Sequence, residues 1–247
     1  MINNQGTNSV DIFHGRGKSG AIQSFYKDSV PLYAKFIREN LKPGKYSVAD
    51  FGGHKGELLS ELISSLPEYE FQAIILDKVE GLEQGANFKK IVGDIIGNSL
   101  PNKSVDIVIM RYVLPWDAYE NQKLILNEVK KVCKNFAIIQ HQGAPSDNPE
   151  PLQKASKVLW SGVVPTLKRD YGFFTESSQI EKWMHELGMN SEKVEEKYVE
   201  KLSDMFIEKF GLNTEEADMT KKILNGCDGI TITTWVVKGE KKFNVSL

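Results

Sequence analysis

Three aspartates in the first hundred residues each close an apolar run, so each could present a carboxylate to a shared ligand. Asp50, Asp77 and Asp94 stand 27 and 17 residues apart. At the carboxyl ends of parallel strands, such carboxylates point into the crevice where open α/β sheets bind ligands. A single acid after a strand often caps the next helix instead, but three in series favour ligand contacts. The spacing therefore predicts a polar ligand site along one edge of a parallel sheet.

A glycine turn separates the first of these acids from a helical pattern. The residues run Asp50-Phe-Gly52-Gly53-His54-Lys-Gly56, and apolar residues then recur at helical spacing up to Leu66. Glycines allow a ligand to approach the backbone closely, and the free N–H groups of a new helix favour an anionic group over its first turn. The G-x-G-x-x-G fingerprint of dinucleotide sites is not met, because His54 occupies the position of its central glycine.

The pattern that is present, D-x-G-x-x-x-G from Asp50 to Gly56, resembles the first motif of the class I S-adenosylmethionine (SAM) dependent methyltransferases. The resemblance implies that the turn passes beneath the methionine and ribose of the cofactor. It also implies that Asp77 accepts both ribose hydroxyls and that Asp94 contacts the adenine amino group. The cofactor-binding residues that it implies are Asp50, Gly52, Gly53, Gly56, Asp77, Asp94 and Arg111.

A second segment strengthens the resemblance. Arg111-Tyr112-Val-Leu-Pro115-Trp-Asp117 follows the predicted fourth strand and is similar to a segment of several small-molecule O-methyltransferases. The histidine that serves as catalytic base in the plant enzymes is matched here by Pro115, so that role cannot be transferred to this position. An N/D-P-P-Y/F motif is not found there, which argues against methylation of amino groups or nucleic-acid bases.

The remaining patterns complete an α/β topology. Strands are predicted at 104–110, 136–140, 194–199 and 230–237, and Thr175 is predicted to cap a helix that Gly188 ends. The resemblance implies a Rossmann-like doubly wound sheet of seven strands, mostly parallel with an antiparallel last strand and with helices on both faces. We expect an N-terminal arm and cap helices over residues 1–42, then one SAM-binding methyltransferase domain over residues 43–247.

Composition agrees with a single α/β domain and excludes several function classes. The chain has 247 residues, of which 40% are apolar, and this is enough for one substantial core. No apolar run approaches the ~20 residues that span a bilayer, and no secretion signal begins the chain, so we expect a cytoplasmic protein. The net charge of -2 argues against binding nucleic acid. Two cysteines and four histidines lack metal-ligand spacing, so no metal is expected.

Methyl transfer needs alignment above all, because a sulfonium methyl is already electrophilic; orientation can supply ~7–11 kcal/mol. A base would further help an O–H acceptor. His141, directly after the predicted fifth strand, is the first candidate, followed by His14 in the arm and Tyr112. For each, the alternative is a residue that only packs or bonds locally.

An insertion at 145–175, after the fifth strand, is expected to build the acceptor pocket, although an extra helix covering the sheet is the alternative. The pocket candidates are the aromatic residues Tyr26, Trp160, Tyr171, Phe173 and Phe174. The sequence thus predicts a SAM-dependent methyltransferase acting on oxygen or nitrogen of a small molecule. Two alternatives stay open, namely an RNA or protein methyltransferase, and a module that binds SAM or a nucleotide without turnover.

Overall fold

The structure is a computed structural model that describes residues 19–78, 88–144, 152, 173–200, 203–204, 207, 214–224 and 229–239. At 19–28, and at a few later positions that include Trp116, it describes the backbone alone. Several predicted site residues therefore lie outside the described part. These are His14, Trp160, Tyr171 and the side chain of Tyr26, together with most of the predicted insertion.

Helices and strands alternate along the chain, as the sequence predicts for an α/β protein. The helices are α1 (Ser19–Asn40), α2 (Glu57–Ser64), α3 (Tyr119–Val132), α4 (Ser177–Glu186) and α5 (Thr214–Ile223), with a short 3-10 turn at Leu114–Trp116. The strands are β1 (Lys45–Phe51), β2 (Glu70–Asp77), β3 (Phe88–Val92), β4 (Val105–Arg111), β5 (Cys133–Gly143), β6 (Asn190–Glu200) and β7 (Gly229–Lys238). No helix in the described ranges is both long and apolar enough to cross a membrane.

The seven strands form one sheet in the order β3-β2-β1-β4-β5-β7-β6. Strands β1 to β5 pair in parallel, whereas β7 runs antiparallel to both β5 and β6. The predicted fold class, including the antiparallel last strand, is confirmed. The chain moves outward from β1 through β2 to β3, then returns to β4 on the other side of β1. The carboxyl ends of β1 and β4 therefore flank a topological switch point, where open sheets of this kind bind ligands.

Two apolar cores cover the two faces of the sheet, because strand side chains alternate between the faces. On the α1–α2 face, Tyr33 and Ile37 of α1 and Leu59 of α2 pack over Val48 and Ile107. On the opposite α3–α4 face, side chains of α3 and α4 pack over strand residues that include Phe51, Ile139 and Trp235. By this alternation, Asp50 and Arg111 lie on the α1–α2 face.

Two predicted boundaries differ from the structure. Strand β5 continues to Gly143, because His141, Gln142 and Gly143 still pair with β7. His141 thus lies within the strand, and the prediction that it directly follows the strand is wrong. Helix α4 begins at Ser177, with Glu176 at the capping position, so Thr175 is not its cap.

Candidate functional site

The glycine turn is shaped by how closely its neighbours approach. Gly52 has φ 74° and donates its N–H to the Leu76 carbonyl at 2.7 Å, which ties the turn to β2. A Cβ on Gly52 would lie 2.5 Å from Cγ2 of Val113, and one on Gly53 would lie 2.6 Å from the Asp50 carboxylate. A side chain at either position would overlap these neighbours, so the turn requires glycine at both.

Helix α2 starts at the end of this turn. Gly56 is its N-terminal capping residue with φ 80°, and a Cβ there would meet the Ile75 and Phe88 side chains. His54 also adopts a left-handed backbone, with φ 50°. The turn thus brings several backbone N–H groups to the carboxyl ends of β1 and β2, next to the amino end of a helix.

Asp77 faces this turn from the end of β2. Its Oδ2 accepts the backbone N–H of His54 at 2.9 Å, and only 9% of the residue is exposed. Asp50 lies beneath the turn at the end of β1 and is 2% exposed. Burial raises the pKa of Asp50 to about 7, the Arg111 charge opposes this rise, and Asp77 and Glu57 add to it. The structure therefore brings Asp50, Asp77 and the three glycines together, and their contact with a cofactor stays a prediction.

Asp94 stands at the outer side of the same sheet edge and is exposed. Its Oδ1 accepts the Ile96 N–H at 3.0 Å, and its Oδ2 lies 3.0 Å from Nζ of Lys78. Lys78 also lies 3.3 Å from a carboxylate oxygen of Asp117, so it connects the ends of β2 and β3 with the segment after β4. The contact of Asp94 with an adenine stays a prediction.

Arg111 and Tyr112 close β4 on the other side of β1. The backbone turns sharply here, since Tyr112 has φ 56° and donates its N–H to the Gln140 carbonyl at 2.8 Å. The Arg111 guanidinium carbon lies 5.0 Å from the centre of the Tyr112 ring. The Arg111 charge also acts on Asp50 and Tyr33, which places these three side chains in one electrostatic cluster.

A buried polar network next to this cluster was not foreseen from the sequence. Oε1 of Gln140 accepts hydrogen bonds from Ser29 at 3.2 Å and Tyr33 at 3.1 Å, while its Nε2 donates to Thr234 at 3.1 Å. Burial raises the pKa of Tyr33, so its hydroxyl stays a donor. One signal existed in the sequence: Ser29 and Tyr33 are four residues apart on one helical face, and Gln140 ends an apolar run.

His141 lies in the core of the α3–α4 face, where none of its surface is exposed. Its Nε2 lies 2.7 Å from the Thr175 carbonyl, which can only accept, so Nε2 carries the proton. Within the described residues, Nδ1 has no hydrogen-bond partner. Burial lowers the pKa of His141 to about 4. Its role as a base stays a prediction, and its described contacts are those of a residue that holds the chain in place.

The chain enters this core again at Phe173 and Phe174, the two described members of the predicted aromatic pocket. Phe173 is exposed, and its ring centre lies 5.1 Å from that of Tyr119. Phe174 is buried. Their part in binding an acceptor stays a prediction, as it does for Tyr26, Trp160, Tyr171 and His14. No group of three or more metal-ligating side chains occurs among the described residues.

Comparison with solved structures identifies proteins of the same architecture. The YcgJ protein of Bacillus subtilis superimposes with a TM-score of 0.66 at 16% identity, covering 87% of this chain and 99% of its own. A putative methyltransferase from Bacillus halodurans gives 0.62 at 13% identity, with 84% and 98% covered. Geranyl diphosphate C-methyltransferase from Streptomyces coelicolor, solved with Mg²⁺, geranyl diphosphate and S-adenosylhomocysteine, gives 0.57 at 8% identity, with 85% and 80% covered.

No protein-family model matches this sequence, and neither does any curated protein compared with it. At identities of 16% or less, the three superpositions establish a common fold. Function has to be argued from the residues of the site.

Proposed function

We propose that this chain, which has the fold of the class I SAM-dependent methyltransferases, is itself a methyltransferase that binds SAM at the switch point and methylates a small molecule. The observation that carries the proposal is the position of Asp77. Its carboxylate lies at the carboxyl end of β2, is 9% exposed, and accepts a hydrogen bond from the glycine turn. A carboxylate held there can accept the ribose hydroxyls of an adenosyl group.

The described residues fit such a cofactor. Gly52 and Gly53 pack against Val113 and Asp50 on the side where a Cβ would lie, so a side chain at either position would displace the turn against which the adenosyl ligand would bind. Arg111, beside the turn, places a positive charge next to the region that would hold the zwitterionic methionine part, and Asp50, beneath the turn, places there a carboxyl group with a pKa of about 7. When bound, SAM supplies an electrophilic sulfonium methyl. What the chain must then do is hold the acceptor atom in line with that methyl and exclude water.

The acceptor side of the proposed site would lie toward the ends of β4 and β5. Gln140, Ser29 and Tyr33 form a buried, hydrogen-bonded floor there, and Arg111 and Tyr112 stand at the end of β4. Of the three base candidates, Tyr112 stands at the end of β4, whereas His141 lies in the opposite core and His14 lies outside the described residues. A net charge of -2 favours a small molecule over a nucleic-acid acceptor. One structural neighbour, the Streptomyces enzyme, is by its name a methyltransferase of a small molecule.

Calorimetry with S-adenosylhomocysteine tests cofactor binding. We expect Asp77→Asn to weaken binding about 10-fold to 100-fold, because hydrogen bonds to a charged group contribute ~1.5–3 kcal/mol. The control is Asp204→Asn, which makes the same change at an exposed position and should leave binding unaltered. NAD and ATP should not bind. Equal affinity for NAD, or an unaffected Asp77→Asn variant, would contradict the proposal.

Methyl transfer is tested with SAM that carries a labelled methyl group, incubated with fractionated cell extract. We expect the label to appear in the low-molecular-weight fraction. Label in the RNA or protein fraction would overturn the small-molecule assignment. Tight binding of S-adenosylhomocysteine with no label in any fraction would point to a binding module without turnover.

A further inference from the structure

Lys90 carries a positive charge near Asp77 and has no role in the function proposed above. It lies in β3, where it pairs with Ile75, and strand alternation places it on the same face of the sheet as Asp77 on β2. The residue as a whole is half-buried, but its Nζ is shielded from solvent and has no hydrogen-bond partner among the described residues. Its neighbour Lys89 lies on the opposite face and is exposed.

An ammonium group in this situation is unfavourable unless an acceptor is supplied. It carries three N–H donors, and removing them from water without replacement hydrogen bonds raises the free energy of the folded state. Burial accordingly lowers the pKa of Lys90, and the one charge that opposes this shift is that of Asp77. One carboxylate oxygen of Asp77 already accepts the His54 N–H. The position thus favours a ligand that brings acceptor atoms close to Asp77.

A sugar hydroxyl has the required chemistry, because it donates through its hydrogen and accepts through its oxygen. We propose, resting on the proposed function, that Lys90 is a cofactor-binding residue whose ammonium donates to a ribose hydroxyl of the adenosyl group while Asp77 accepts from the ribose. The acid and the ammonium together then recognise the ribose in both hydrogen-bonding roles. A ligand without that hydroxyl would lose both partners at once, so the pair selects ribose over deoxyribose.

The test compares binding of S-adenosylhomocysteine with that of its 2′-deoxy and 3′-deoxy analogues by calorimetry. Lys90→Met should bind S-adenosylhomocysteine about 10-fold to 100-fold more weakly than the unmodified protein, since one charge-assisted hydrogen bond is lost. Lys89→Met, the same change on the exposed face, should bind normally. For the analogue that lacks the contacted hydroxyl, the unmodified protein and Lys90→Met should bind with the same affinity.

The melting temperature of the Lys90→Met variant distinguishes a cofactor-binding lysine from a structural one. Methionine has no buried charge to desolvate, so Lys90→Met without ligand should melt at or above the temperature of the unmodified protein. A structural lysine would instead give a lower melting temperature. Lys90→Gln, which keeps a neutral donor, should show intermediate affinity and serves as the second variant if Lys90→Met does not fold.

The outcomes distinguish this inference from the function on which it rests. If the unmodified protein does not bind S-adenosylhomocysteine, the proposed function fails. If it binds and Asp77→Asn weakens binding, but Lys90→Met binds normally, only the role of Lys90 is overturned. An equal loss of affinity for all three ligands would also overturn it, because the lysine would then act without reading a hydroxyl.

Discussion

At the scale of single residues, the glycine turn joins two parts of the site that are distant in sequence. Gly52 contacts the loop after β4, since a Cβ there would lie 2.5 Å from Val113. The turn that would carry the adenosyl group is therefore packed against the loop that would carry the acceptor side. A change in one of these segments is transmitted to the other through direct contact.

A comparison of Gly52→Ala with Gly97→Ala distinguishes the effect of the Val113 contact from the effect of backbone strain. Both glycines have similar φ, 74° and 73°, but nothing lies within 4 Å of a Cβ placed on Gly97. Each alanine should lose ~1–2 kcal/mol of stability in a left-handed backbone. Only Gly52→Ala should also displace Val113, and we expect it to weaken binding of S-adenosylhomocysteine more than 10-fold by calorimetry. Normal binding by Gly52→Ala would mean that the turn does not carry the cofactor.

Some residues of the candidate site can be predicted from the sequence and others cannot. Glycines and strand-end acids can be identified from it, because their backbone and charge requirements are local. The left-handed conformations of His54 and Tyr112 could not be foreseen, since neither residue type requires a positive φ. The shielded ammonium of Lys90 was also missed, because its surroundings depend on which strand lies beside β3.

At the scale of elements, one short segment fixes how the chain returns to the core before α4. Gln122 of α3 is fully buried, donates to the carbonyls of Phe173 and Asp117, and accepts the hydroxyl of Thr175 at 2.6 Å. His141 of β5 donates to the Thr175 carbonyl. The end of the predicted insertion is thus attached to both a helix and a strand.

Gln122→Met tests this attachment. Methionine fills a similar volume but leaves the buried Thr175 hydroxyl without its acceptor, whereas the Phe173 carbonyl still accepts the Thr175 N–H. A buried unsatisfied group costs ~1–3 kcal/mol, and we expect urea unfolding to show a loss of that size. Leu124→Gln, on an exposed position of the same helix, should change stability by less than ~0.5 kcal/mol. A similarly small effect for both variants would show that Gln122 does not hold the segment.

Periodicity predicted the existence and order of the elements better than their ends. Thr175 has the residue type and position of a helix cap, yet its hydroxyl bonds to Gln122 across the core. Strand β5 runs past the predicted end because β7 continues to pair with it. Both boundaries depend on tertiary partners, which the local sequence does not specify.

At the scale of the whole molecule, each face of the sheet buries one titratable group in its neutral form, and the two groups make stability depend on pH in opposite directions. Asp50, on the α1–α2 face, has its pKa raised from 3.8 to about 7, mainly by burial. Between these values the folded state holds a proton that the unfolded state has lost. Stability therefore falls as pH rises from about 4 to about 7, and does not change further above that range.

His141, on the α3–α4 face, acts in the other direction. Burial lowers its pKa from 6.5 to about 4, so between these values the unfolded state binds a proton and the folded state does not. Stability therefore rises with pH across this window and is lost as pH falls toward 4. The two windows overlap between about pH 4 and 6.5. Each group contributes at most one proton, or ~1.4 kcal/mol per pH unit, and the two signs oppose each other.

In the unmodified protein, this pair should therefore make stability depend little on pH. Removing either group should reveal the pH dependence that the other contributes. Between about pH 4.5 and 6.5, the stability of Asp50→Asn relative to the unmodified protein should rise with pH, because the negative slope of Asp50 is gone. The stability of His141→Gln should fall with pH on the same scale, while its amide can still donate to Thr175. Urea unfolding at several pH values measures both differences, from which all other titrating groups cancel. Three parallel curves of stability against pH would show that neither residue titrates with the shifted pKa. Water would then reach the two side chains more readily than their burial implies.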